Sequence, residues 1–415
     1  MTTSHEPWKT ESWFSSPWNY APEVTAEFTI DPNLQIHDVT LRDGEQQAGI
    51  EFSADDKIRI AEALSNAGIH RIEAGLPAVS KADEAAVRGI VDAGLDAEIY
   101  AFSRCMVSDV QLAIDTGVAG VVMEIPSSHH LIEKAYRWPL SKAIDLSIEA
   151  TTAAHEAGLK VSYFPIDATR AGMVELLDDL ETVAKNGHVD TIGLVDTFGV
   201  ISPHAVSFFA RNIRKRLGVP METHFHMDFG LGVANTVLAV TEGVSVIQTT
   251  VAGLGERAGN APMEETVLAL LTMYGLDTGI KTEHFFDISR LVLGLAGVEQ
   301  PSNRPIIGER LFHVESGIIA SWVKNAGPEN LTEPFPYRPE LVGQSGPEIV
   351  LGKGSGLDSV AIWMDKLGLE WNETKELESI LMEVKDASLR KRELLDEDEF
   401  RAIVGKVVPA AAASD

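Results

Sequence analysis

Residues 223–235, THFHMDFGLGVAN, place His224 and His226 one residue apart. On a β-strand, residues i and i+2 share a face with Cα atoms about 7 Å apart, so two imidazoles there can converge on one ion. Taken alone, such a pair is more often two polar side chains of a strand interior. An ion also needs oxygen ligands. Asp43 in DVTLRDGEQ offers a carboxylate, and Asn260 in GLGERAGNAP offers a neutral amide oxygen. Two imidazoles and a carboxylate, with positions left for water or substrate, suit a divalent metal such as Zn, Mn or Mg. Beside Arg42, such an ion would bind a 2-oxo acid through its ketone and carboxylate oxygens. It would polarise the ketone while Arg42 stabilised oxyanion charge. That is chemistry for making or breaking a carbon–carbon bond next to a carbonyl.

Those residues lie far apart in sequence, so the fold must gather them. From Leu34 onward, short apolar runs alternate with longer amphipathic ones: LQIHDVT, RIEAG, AEIYAF, GVVMEI, KVSYFP, TIGLVD, METHFH and VIQTT. Helical patterns separate them, among them 54–67, 82–93, 141–157, 174–186, 204–217 and 233–242. Gly68, Gly94, Gly158, Gly187 and Gly243 follow helices, where a left-handed residue ends the turn. Eight strand–helix units in roughly 240 residues predict an α/β fold, a (β/α)8 TIM barrel. A doubly wound open sheet is the alternative, but no phosphate-binding glycine fingerprint follows the first strand. In such a barrel the C-terminal ends of the strands face the site. Polar residues fall at those ends: Asp38, Arg42, Asp43, Glu45 and Gln46, then Glu73, Arg104, EIPSSHH, PIDATR, Asp196 with Thr197, and the two histidines. Closing the ring sets strand one beside strand eight, with strand seven next, which brings Asp43 toward the histidines.

The expected organisation is an N-terminal arm over 1–33, a barrel over 34–280, helical subdomains near the barrel mouth over 281–405, and a tail over 406–415. The arm carries Trp8, Trp13, Trp18 and Tyr20, a density that suits packing on a partner subunit as well as a frayed end. Of the 415 residues, 45% are hydrophobic and 23% charged, a balance that fills a core of this size. A formal charge of −28, from 34 Lys+Arg against 62 Asp+Glu, repels phosphate backbones and argues against nucleic acid as a partner. Runs of about eighteen apolar residues are absent, so no membrane span is expected. The start, MTTSHEPWKT, has no secretory pattern. The single cysteine, Cys105, excludes an internal disulfide and a cysteine-based zinc site. A cytoplasmic protein is expected.

HDVTLRDGEQQAG, IEAGLPAVS, VDTFGVISP, HFHMDFGLGVAN and GLGERAGNAPMEE, in that order, resemble the signatures of the DRE-TIM metallolyase family. Its 2-isopropylmalate, homocitrate and citramalate synthases are the nearest in pattern. The resemblance covers residues 35 to 275 strongly, and HVESG, ELVG and VLGKGSGLDSV more weakly. It implies a TIM barrel with metal ligands Asp43, His224 and His226, Asn260 as a weaker ligand, and Arg42 as oxyanion partner. Glu73, Arg104 and Thr197 would shape or bind the oxo-acid pocket, with Gln46 near its mouth. Glu256 and Arg257 would pair as scaffold for Asn260. The implied reaction joins an acyl-CoA to a 2-oxo acid in a homodimer or higher homo-oligomer. The chain would lack the C-terminal regulatory domain of the leucine-inhibited enzymes.

Departures from that pattern fall on proton-transfer positions. The glutamate usual after strand five is Ile166, a histidine of the appendage is Ile319, and the histidine of the GK-H-SG segment is Gly354. The usual His-Asn-Asp after strand seven reads His226–Met227–Asp228. An apolar side chain cannot move a proton. His130, His129, Tyr337 or a metal-bound water would then do that work, or the second substrate differs. Standard isopropylmalate, homocitrate or citramalate synthesis is therefore not expected. Two other readings are a carbon–carbon lyase or aldolase like 3-hydroxy-3-methylglutaryl-CoA lyase, and a binding homologue that has lost catalysis. The first lacks its cysteine in the loop after strand eight, and the second leaves the intact ligand set unexplained.

Overall fold

The computed structural model describes residues 6–408, which form two compact units. The larger spans Ser16–Gln300. Its strands are β1 (Gln35–Asp38), β2 (Arg71–Glu73), β3 (Glu98–Arg104), β4 (Gly120–Pro126), β5 (Lys160–Ile166), β6 (Thr191–Asp196), β7 (Met221–Phe225) and β8 (Val246–Thr249). They are parallel and closed into a ring in sequence order, with Asp38 of β1 opposite Thr249 of β8. Parallel strands covered by helices on the outside and packed inside read as unbroken apolar runs. Val121, Val122 and Met123 of β4 are all fully buried.

The longer helices of this unit are α1 (Ala54–Asn66), α2 (Lys81–Asp92), α3 (Val107–Thr116), α4 (Leu140–Glu156), α5 (Met173–Asn186), α6 (Pro203–Leu217), α7 (Gly232–Thr241), α8 (Met263–Tyr274) and α9 (Phe285–Ala296). Local sequence sets their ends. Ser53 and Asp56 close a reciprocal capping box at the start of α1, and Ser80 caps α2. Of the expected stop glycines, Gly68, Gly94, Gly158 and Gly243 have positive φ. Gly187 does not, at φ −108°. A Cβ there would lie 2.4 Å from Thr151 Oγ1, so close packing rather than handedness requires this glycine.

Two boundaries differ from the sequence-based division. Helix α9, assigned by pattern to the appendage, belongs to the barrel unit, where Phe285, Ile288, Val292 and Leu293 are buried. The arm divides after Ser15. Its second part lies on the barrel, with the Tyr20 hydroxyl donating to Thr272 O at 3.0 Å and the Phe28 ring 5.9 Å from Tyr274.

The smaller unit joins residues 6–15 to 301–408. It contains β9 (His313–Val314) paired in parallel with β10 (Glu348–Ile349), and helices α10 (Gly317–Ala326), α11 (Leu357–Lys366), α12 (Thr374–Lys391) and α13 (Glu397–Val407). The first residues are held by an isolated antiparallel bridge of Trp13 with Tyr337: Phe14 N–H donates to Pro336 O at 2.9 Å and Arg338 N–H to Ser12 O at 2.8 Å. Its core sets Trp363 edge-on to Phe400, with the indole N–H donating to Ile349 O at 2.7 Å. The tail expected at 406–415 falls largely outside the described residues.

Because Phe285 is fully buried within the barrel unit, Phe285→Ala is expected to destabilise that unit by about 3–5 kcal/mol in urea unfolding. A loss below about 0.5 kcal/mol would mark α9 as a loose appendage instead.

Candidate metal centre

The first β-strand ends in a tight turn. The N–H groups of Arg42, Asp43 and Gly44 all point at Val39 O, at 3.2, 2.9 and 3.2 Å. Thr40 fixes that turn, donating to Asp38 Oδ2 at 3.1 Å and accepting from Val251 N–H, just beyond β8, at 2.9 Å. Barrel closure and this link place Asp43 beside β7. Its Oδ2 lies 3.2 Å from His224 Nε2 and 3.7 Å from His226 Nε2, and the two Nε2 atoms are 3.2 Å apart. All three side chains are buried, and their ligand atoms fall within 4.8 Å of one another.

The protonation of His224 follows from the layer beneath it. Glu222, two residues earlier on the same face of β7, is ionised and only accepts. Burial opposes its charge, but His37, with Arg71 and Gln248, outweighs that and lowers its pKa to about 2. Gln248 of β8 therefore turns its amide N–H₂ to Glu222 Oε1, at 3.1 Å. Its carbonyl then faces His224 Nδ1 at 2.7 Å and must accept from it. In the neutral ring Nδ1 carries the proton and the Nε2 lone pair faces the centre, as a metal ligand requires. His226 has no such support, since its Nδ1 is buried without a hydrogen bond. Burial, with His224 nearby and Asp43 opposing, lowers the His226 pKa to about 4, which keeps its ring neutral. Burial opposes the charge of Asp43, but Arg42 outweighs it and holds the carboxyl well below the usual carboxylate range.

Asn260 completes the set. The loop after β8 folds back on the end of β7, with Ala261 N–H donating to Phe225 O at 3.1 Å and Met227 N–H to Gly259 O at 2.9 Å. That pairs Asn260 with His226. Its amide nitrogen donates to Leu254 O at 3.3 Å, while Oδ1 is buried with no partner. A buried acceptor left open beside two imidazole lone pairs and a carboxylate fits a cation. The loop tolerates no side chain at Gly255, φ 153°, where a Cβ would stand 2.3 Å from Asn260 Nδ2.

Beside the centre is a cavity of about 280 Å³. Arg42, Gln46, Thr197 and Glu256 contribute its polar walls, and Phe102, Phe164, Ile166 and Val195 its apolar ones. Arg42 is held by Glu73 Oε1 through Nε at 2.5 Å and stacks 4.6 Å from the Phe102 ring. Its Nη1 stays near Gln46 Oε1, at 3.4 Å, and near Asp43 Oδ2, at 3.6 Å. Thr197 Oγ1 accepts from Asp167 N–H at 2.7 Å, which leaves its own proton to donate. Glu124 of β4 also lines the cavity, and burial raises its pKa to about 7 despite the lowering by Arg42 and His224.

Several expected site residues are placed elsewhere. Arg104 is exposed and turned to Asp109 at the start of α3, Nε to Oδ2 at 2.7 Å and Nη2 to Oδ1 at 3.1 Å, so it is not a cavity wall. Glu73 sits behind Arg42, fully buried, rather than against the substrate. His130 is half exposed, outside the cavity walls, with Nε2 3.2 Å from Asp167 Oδ2. Tyr337 belongs to the smaller unit, where it pairs with Trp13 and packs edge-on to Phe312. Arg257 is committed mainly to Asp228, at 2.9 and 3.0 Å, and to Thr197 O, at 2.5 Å; its contact with Glu256 is the long one, at 3.5 Å. Sequence reading missed Glu124, Gln248 and Glu222. Glu124 is the one acid inside the apolar run GVVMEIP and Glu222 lies two residues before His224, whereas Gln248, followed by two threonines, carries no such signal.

The closed eight-stranded barrel, with Asp43, His224 and His226 gathered at its strand ends, is a TIM barrel with a candidate metal centre. The chain belongs to the HMGL-like family, whose model matches residues 33–292. It is 35% identical to the homocitrate synthase AksA of Methanopyrus kandleri over 95% of this chain and 98% of that one. It is 36% identical to a 2-isopropylmalate synthase of Methanocaldococcus jannaschii over 93% of this chain and 74% of that one. It is also 38% identical to a putative (R)-citramalate synthase CimA of Archaeoglobus fulgidus, over 90% and 75% respectively. Among solved structures, the HMG-CoA lyase of Bacillus subtilis matches with TM-score 0.60, covering 66% of this chain and 97% of that one, at 21% identity. That likeness concerns the fold. Among the described residues no helix is long and apolar enough to cross a membrane.

Gln248→Leu is expected to weaken binding of Zn²⁺ or Mn²⁺ about 10- to 100-fold in chelator competition, by releasing the His224 tautomer. Unchanged affinity would show that the amide does not govern it. Because the folded-state pKa of Glu222 lies below its ordinary 4.5, its stabilisation is full above that pH and lost as pH falls toward about 2. Urea unfolding between pH 5 and 2.5 is expected to show a shallower loss of stability in Glu222→Gln than in the native chain; equal slopes would contradict the role of this carboxylate.

Proposed function

We propose that the barrel is a metal-dependent carbon–carbon bond-forming synthase that condenses an acyl-CoA with a 2-oxo acid. The observation that carries this reading is the convergence of Asp43, His224 and His226 on one point beside Arg42. The named activities of the relatives support it. Asp43, His224, His226 and Asn260 Oδ1 would hold a divalent ion, with Zn, Mn and Mg all suited to that ligand set. Such an ion supplies Lewis-acid polarisation of the oxo acid's ketone.

The other work falls to the chain's own side chains. Arg42, fixed through Nε by Glu73, presents its remaining N–H groups to the oxyanion that develops as the carbon–carbon bond forms. Thr197 has a hydroxyl proton free for a carboxylate oxygen of the oxo acid. Phe102, Phe164 and Val195 form part of one buried apolar cluster that excludes water from one side.

The reaction differs from standard isopropylmalate, homocitrate or citramalate synthesis. Ile166 lines the cavity where the resemblance leads one to expect a glutamate, and it offers no proton acceptor. A lyase reading is disfavoured by the cysteine. Cys105 is buried outside the loop after β8, and burial pushes its thiol up to about 12. The binding-homologue reading is disfavoured by the intact ligand set.

Purified, metal-loaded protein screened against 2-oxo acids crossed with acyl-CoAs is expected to release free CoA with at least one pair. Arg42→Ala should lower kcat on that pair about a hundred- to a thousandfold. Efficient turnover of acetyl-CoA with 2-oxoisovalerate, 2-oxoglutarate or pyruvate would contradict the atypical reaction. No CoA release with any pair would overturn the synthase.

A further inference from the structure

The acids around the cavity are nearly all committed. Asp43 faces Arg42 and both histidines, and Glu73 holds Arg42. Asp167 takes Arg170 and Ser128. Asp196 takes Thr169 and two backbone N–H groups, and Asp228 takes Arg257. Glu124 is the exception: among the described residues its carboxylate has neither a hydrogen bond nor an ion pair. It stands on β4 in register with Phe164 of β5, two residues below the Ile166 level, in a wall otherwise formed by Phe102, Tyr136 and Ile166. An acid recessed among aromatic and aliphatic side chains is costly to keep ionised unless something donates to it. Arg42 and His224 act on it only through space. The donor is therefore supplied by what occupies the cavity, water when the site is free and a ligand when it is filled.

Resting on the synthase reading above, we propose that Glu124 selects the 2-oxo acid by its side chain, favouring one that ends in a hydrogen-bond donor or a cation, a hydroxyl, ammonium or guanidinium group. The carboxylate end of the substrate would be taken at the Arg42 and Thr197 end, and the side chain would extend along Phe102 and Phe164 to Glu124. An oxo acid with a second carboxylate would set two like charges together, and a branched aliphatic one would leave Glu124 unpaired. A site with a buried polar group rejects the analogue lacking the matching partner more strongly than a greasy pocket rejects an extra methylene. Glu124 has the partial solvent access of a cavity wall, so a ligand can reach it.

The test uses the metal-loaded full chain. Binding of 2-oxo acids is measured calorimetrically, and kcat/KM by CoA release. The panel is 4-hydroxy-2-oxobutyrate, 5-guanidino-2-oxopentanoate, 2-oxoisovalerate and 2-oxoglutarate. The native protein is expected to prefer one of the first two over both others by at least tenfold. Glu124→Gln should retain the hydroxylated acid and lose the guanidino one, and Glu124→Leu should shift the preference to 2-oxoisovalerate. Oxo acids bound or turned over with a preference that neither variant alters would overturn this inference and leave the synthase reading standing. A uniform fall in kcat across all acids, with preference unchanged, would overturn it too, since that marks a proton-transfer role. Failure of every oxo acid to bind or react would remove the synthase reading and this inference with it.

Discussion

Two imidazole nitrogens 3.2 Å apart, one 3.2 Å and the other 3.7 Å from a single carboxylate oxygen, set the terms for the rest of the barrel. In the neutral ring one of those nitrogens bears a lone pair, because the Glu222–Gln248 chain sets the His224 proton on the opposite ring nitrogen. The other belongs to a ring that burial keeps neutral. Lone pairs and an anion confined together, with an unpaired amide oxygen alongside, are a favourable arrangement only around positive charge. Arg42 supplies part of it, yet its Nε is spent on Glu73 and its Nη1 is 3.6 Å from Asp43.

Each further feature of the site serves that convergence or uses it. Ring closure brings β1 against β8, the Thr40–Val251 contact ties the two loops beyond them, and the return of 253–261 along β7 delivers Asn260. Below, His37, Glu222, Gln248, Ser162 and Thr191 form a polar layer inside the barrel in which each hydrogen bond orients the next. Above, the cavity is polar at the Asp43–His224–His226 end and apolar along β3, β5 and β6, which suits a small ligand with an anionic head and a longer body.

Much of this was legible in the sequence. All eight strands could be read, because parallel strands buried on both faces leave short apolar runs between amphipathic helices. Asp43, His224, His226 and Asn260 could be read because strand alternation and ring closure constrain where they go. Other features depend on which of two neighbours captures a side chain, which periodicity does not encode. Arg104 stands at a strand end that should face the site, but Asp109, five residues on, takes its guanidinium through two hydrogen bonds. Asp167 likewise draws His130 and Arg170 toward itself. Helix α9 reads as part of the appendage by position, while its buried face belongs with the barrel. Glu124 looks like one more acid of an acidic chain, and only three-dimensional packing shows that nothing pairs with it.

The central claim is that one divalent cation is held by Asp43, His224 and His226. Anomalous diffraction from crystals of the full chain equilibrated with Mn²⁺ tests it most directly. One strong peak within bonding distance of His224 Nε2, His226 Nε2 and an Asp43 oxygen is the expected result. A map with no peak there, at saturating Mn²⁺ or Zn²⁺, would contradict it.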